Sequence, residues 1–90
     1  MSLTLTERDP ELAEILTILS EECAELSVEC SKIIRFGVSG HSKDRLGGEA
    51  SDIIALLVIL YDRGILDIES LDHGVAAKLD KLRDWSSIKL

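Results

Sequence analysis

Residues 49–60 read EASDIIALLVIL. Wound as a helix, the apolar run 53–60 covers the whole circumference, a pattern that requires protein on every side. Two other helices from a chain of 90 residues cannot cover all of it. The run therefore predicts a core helix completed by another subunit, a homodimer or higher assembly with this helix at the centre of a four-helix-bundle-like core. The helix is expected to start near Gly48 and end at Arg63, where Gly64 can supply the left-handed cap. It opens on two acidic residues three apart, Glu49 and Asp52, which share one face.

Upstream, Asp9 followed by Pro10 marks a helix start: the Asp side chain caps free N–H groups and proline suits the first helical position. Residues 1–9 read as an N-terminal arm. From there Leu12, Ile15, Leu16, Leu19, Cys23, Leu26, Cys30, Ile33 and Ile34 recur at three-and-four spacing as far as Gly37. Residues 37–48, GVSGHSKDRLGG, hold four glycines and little periodicity, and read mostly as a connecting loop with room for a short helical turn. Downstream, Asp67 caps a third helix that runs to about Trp85, with Ile68, Leu71, Val75, Leu79 and Leu82 on one side. The expectation is a single all-α domain, residues 1–90, with three main helices per chain.

Composition agrees. Hydrophobic residues make up 46% and aromatics 3%, which favours aliphatic helix packing. A net charge of −7 and a pI near 4.7 argue against nucleic acid and anionic membrane as partners, since both demand a basic surface. No charged, apolar-cored leader opens the chain and the longest apolar run has eight residues, so a cytoplasmic, soluble protein is expected. Cys23 and Cys30 lie about 10 Å apart along one helix, too far to form a disulfide, and read as buried free thiols.

The first helix carries its own acidic pair. On a wheel with Glu22 at zero, the apolar arc runs from about −40° to +120°. Glu22 falls inside it, Glu25 sits on its margin, and Glu29 lies within it as an acceptor beside the site or a partner for Lys32. A carboxylate in an apolar stripe must find a partner or take up a proton. If the first and core helices run antiparallel, Glu22, Glu25, Glu49 and Asp52 converge. Four carboxylates without close-spaced histidines or cysteines make a hard, all-oxygen site suited to Mg²⁺ or Mn²⁺. Magnesium keeps waters that phosphates displace, which points to a polyphosphate substrate.

The order EECAEL, then LGGEASD leading into an aliphatic helix, resembles the MazG-like all-alpha nucleoside triphosphate pyrophosphohydrolases. Their mark is ExxE followed, after a variable connection, by ExxD; here 23 residues separate Glu25 from Glu49. The likeness runs from about Leu12 to Trp85 and includes SKIIRFG and YDRGILD. It implies a bundle completed by dimerisation and magnesium-dependent cleavage of a nucleoside triphosphate between the α- and β-phosphates, giving nucleoside monophosphate and pyrophosphate. The four carboxylates would be metal ligands, with Glu25 or Glu49 accepting the proton of the attacking water. Lys32 and Arg35 could reach phosphate oxygens and Phe36 could stack on a base, although a helix-end cation and a core plug are the plainer readings. Lys43 and Arg45 fall in the expected loop, which could close over a nucleotide. Lys78, Lys81, Arg83 and Trp85 form a C-terminal flap or the outer face of the third helix. Two rival readings remain: phosphoribosyl-ATP pyrophosphohydrolase, which shares the paired acidic motifs, and a non-catalytic acidic oligomerisation module.

Overall fold

The computed structural model describes residues 2–90, all-α, with no strand among the described residues. Four helices follow in order: α1 (Leu5–Arg8), α2 (Pro10–Phe36), α3 (Gly40–Asp62) and α4 (Ile68–Trp85). Contacts divide the chain into two compact units, one reaching Leu56 and the other Leu57–Leu90, with the boundary inside the continuous helix α3. Of the expected arm, Met1 lies outside the described residues. The remainder includes a single helical turn, α1, closed by reciprocal capping between Thr4 and Glu7.

In the first unit, α2 begins as its sequence dictates. Asp9 accepts a hydrogen bond from the Leu12 N–H at 3.0 Å, Pro10 occupies the first turn, and Gly37 ends the helix at φ 84°. Burial along α2 follows the spacing of its apolar stripe: Leu12, Ile15, Leu19, Glu22, Leu26, Glu29 and Ile33 are buried or half-buried. Two of those seven positions hold glutamate. Cys23 and Cys30, expected to be buried, are exposed, because they fall on the margin of the stripe that the single chain covers.

The connection to α3 is shorter than its glycines suggest. Only residues 37–39 are non-helical, and residues 40–48, expected as loop, form the first turns of α3. A reciprocal cap explains the early start. Ser42 N–H donates to Ser39 Oγ at 3.2 Å, Ser39 N–H donates to Ser42 Oγ at 2.7 Å, and Ser42 is only 4% exposed. Helix-interior glycine costs about 1 kcal/mol relative to alanine, so Gly47 and Gly48 weaken this segment without stopping it. Ser42, Leu46, Glu49, Ile53 and Leu56 are buried or half-buried at four-and-three spacing. They form the stripe of α3 that carries its acidic residue toward α2. On the opposite side of the helix, Ile54 and Val58 are 60% and 51% exposed.

In the second unit, α3 ends in a Schellman turn. Gly64, at φ 77°, donates to the Tyr61 carbonyl, and Ile65 donates to the Leu60 carbonyl at 2.9 Å. Leu60 is 3% exposed. The cap of α4 is Asp67, which accepts from the Ser70 N–H at 3.0 Å. The apolar stripe expected on this helix is present and largely uncovered: Ile68, Leu71, Val75 and Leu79 are exposed, and Leu82 is half-buried.

Candidate metal centre

The site lies within the first unit, where α2 and α3 run antiparallel past each other. Their side-chain pairings show the direction. Glu29, late in α2, meets Arg45, early in α3; Glu22 and Glu25, earlier in α2, meet Glu49, later in α3. One carboxylate oxygen from each of Glu22, Glu25 and Glu49 lies within 4.8 Å of the others. Asp52, the fourth acidic residue expected here, sits one turn further along α3 from Glu49, is exposed, and falls outside this group.

Glu22 and Glu49 are half-buried, and in each the Oε2 atom is buried with no hydrogen-bond partner among the described residues. Two acceptors brought together without a donor leave both unsatisfied, a costly arrangement unless a proton or a cation lies between them. Glu49 registers the conflict: its carboxyl is raised to about 7 from an ordinary 4.5. The first cause is the neighbouring carboxyl of Glu22, which favours the protonated form, then desolvation, then the negative charge of Glu25. The orphaned oxygens, the three-carboxylate donor set and the raised Glu49 all fit a hard divalent cation.

Glu29 sits in the same stripe with the opposite environment. It is 8% exposed, and both its oxygens are engaged: Arg45 Nε donates to Oε2 at 2.9 Å and Lys32 Nζ lies 3.5 Å from Oε1. The Arg45 hydrogen bond, helped by the charges of Lys32 and Arg45 and opposed by burial, holds the Glu29 carboxyl below the usual range. Glu29 is thus a satisfied ion pair, whereas Glu22 and Glu49 have no cation against them among the described residues.

The remaining expected residues lie toward the end of α2. Lys32 is tied to Glu29. Arg35 stacks its guanidinium 5.0 Å over the Phe36 ring, and Phe36 remains 76% exposed, so it is no core plug in this chain. Lys43 is exposed on α3. At the C-terminus, Arg83 pairs with Asp80 at 2.7 Å and Lys78 lies 5.6 Å over the Trp85 ring. Sequence reasoning missed the Glu29–Arg45 link. The signal was the Ser39/Ser42 cap, which extends α3 and places Arg45 four residues before Glu49 on the same face. No family model, curated protein or solved structure matches the chain.

Proposed function

We propose that this protein is a magnesium-dependent nucleoside triphosphate pyrophosphohydrolase of the MazG-like type, working as a homodimer or higher assembly. The observation that carries the reading is the group of Glu22, Glu25 and Glu49, drawn from two antiparallel helices with two buried oxygens that no donor among the described residues satisfies. Glu22, Glu25 and Glu49 would hold Mg²⁺ or Mn²⁺, with Asp52 on the adjoining turn as the fourth carboxylate. A cation held there would neutralise phosphate oxygens and lower the pKa of water. A carboxylate oxygen of Glu25 or Glu49 left free takes the proton from the attacking water. The water oxygen bonds to the α-phosphorus, the bond from that phosphorus to the bridging oxygen breaks, and pyrophosphate leaves with the electron pair. Lys32 and Arg35 supply positive charge to the phosphates near the end of α2. Phe36, exposed beside them, offers a face to the base.

Dimerisation rests on the outer side of α3. Ile54 and Val58 lie roughly 140° and 180° around the helix from Glu49 and are largely exposed. Burying a side chain of this type contributes about 1.5–3 kcal/mol, so a second copy covering this side stabilises the helix that presents Glu49. The test is product analysis. Purified protein with magnesium and each nucleoside triphosphate should yield monophosphate and pyrophosphate in equal amounts. Nucleoside diphosphate and inorganic phosphate, or preferential turnover of phosphoribosyl-ATP, would overturn this assignment.

A further inference from the structure

Arg45 is held to the opposite helix through one of its donors only. Its Nε donates to Glu29 Oε2, while neither terminal nitrogen has a partner among the described residues and the side chain is 49% exposed. Of five guanidinium donors one is used, leaving the planar fork that matches phosphate oxygens two at a time. Glu29, itself nearly buried, fixes the orientation of that fork from the opposite helix.

Its position gives the fork a use. Arg45 precedes Glu49 by four residues on α3, and Glu29 follows Glu25 by four on α2. The Glu29–Arg45 pair therefore stands one helical turn, about 6 Å of rise, from the acidic group. Lys32 Nζ, against the other oxygen of Glu29, adds a second cation on the same level. The molecule thus presents a compact acidic group and, one turn away, a pre-oriented guanidinium fork.

We propose that Arg45 is a polyphosphate-binding residue, its fork taking two non-bridging phosphate oxygens while the cation centre holds the same chain of phosphates, and that Glu29 is its positioning residue. The proposal deepens the hydrolase reading and rests on it for the substrate, although the fork itself can be tested without turnover. Charge-assisted bidentate contacts are among the stronger polar interactions, and losing one weakens binding by about tenfold to a hundredfold.

The experiment measures binding of inorganic pyrophosphate in the presence of Mg²⁺ by calorimetry, for the parent, Arg45→Ala, Arg45→Lys and Glu29→Gln. Nucleotide KM and kcat are measured on the same samples. Arg45→Lys keeps a cation beside Glu29 and guards against misfolding, which circular dichroism checks. Arg45→Ala and Arg45→Lys should weaken pyrophosphate at least tenfold and raise KM with kcat little changed, while Mn²⁺ affinity of the free protein stays at the parental value. Glu29→Gln should move pyrophosphate affinity and KM the same way by a smaller factor. Equal pyrophosphate affinity in parent and Arg45→Lys would overturn the fork even if nucleotides are hydrolysed. Arg45-dependent pyrophosphate binding in a protein that hydrolyses no nucleotide would uphold the fork and overturn the hydrolase reading instead.

Discussion

Replacing Glu49 by glutamine should flatten the response of the protein to pH and weaken its response to magnesium. In the metal-free chain the Glu49 carboxyl sits at about 7, against 4.5 for the ordinary group. The folded state therefore holds a proton that the unfolded chain releases, and the resulting stability is fully present below pH 4.5 and lost as pH rises through 7. Glu49 therefore passes from mostly neutral to mostly charged between pH 5 and pH 8. Glutamine is neutral throughout, and its amide N–H can donate to the orphaned Oε2 of Glu22. Metal-free parent and Glu49→Gln should thus melt close together at pH 5, with the variant melting higher at pH 8. With the proposed site, magnesium at one hundred times its Kd should add about 2.7 kcal/mol to the parent, or roughly 10–20 °C in a domain of this size. The variant, short of one anionic ligand, should gain much less. Differential scanning fluorimetry at pH 5 and pH 8, with chelator or magnesium, reads all eight conditions. Parallel pH curves and equal magnesium shifts in both proteins would refute the reasoning.

Other consequences follow from the same structure. Magnesium affinity should fall as pH drops below about 7, because the cation must displace the proton on Glu49, and calorimetry in two buffers should show proton release on binding. Leu60→Ala removes the side chain buried at the end of α3 and should cost about 2–5 kcal/mol, lowering Tm by at least about 8 °C. Asp67→Ala deletes the cap of α4 and should cost about 1 kcal/mol, or about 4–8 °C in Tm. If a second copy covers the outer side of α3 as proposed, Val58→Glu, exposed there, should leave a monomer in light scattering where the parent is a dimer or larger, with helical circular dichroism in place.

Helix ends set by local chemistry were legible in the chain: Asp9 with Pro10, Asp67, and the left-handed glycines at 37 and 64 each act through their own few residues. The start of α3 was not, because four glycines between 37 and 48 weigh against helix while Ser39 and Ser42 satisfy the first N–H groups only as a pair. That one boundary hid the role of Arg45, which as a loop residue has no fixed direction and as a helical residue lies on the face of Glu49. The acidic group was legible for a different reason: periodicity placed Glu22 inside an apolar stripe, and a charge there requires an answer. The separation of Asp52 from the other three depends on interhelical register, which no local pattern encodes. Exposure of Cys23 and Cys30 likewise depends on how much of α2 is covered by the rest of the chain.

The proposed activity needs a dication between Glu22 and Glu49, and manganese reports its own binding. Titrating Mn²⁺ into parent, Glu22→Gln and Glu49→Gln while following free Mn²⁺ by electron paramagnetic resonance should show a saturable site in the parent, weakened at least tenfold in each variant and displaced by magnesium. Identical isotherms for all three proteins would contradict it.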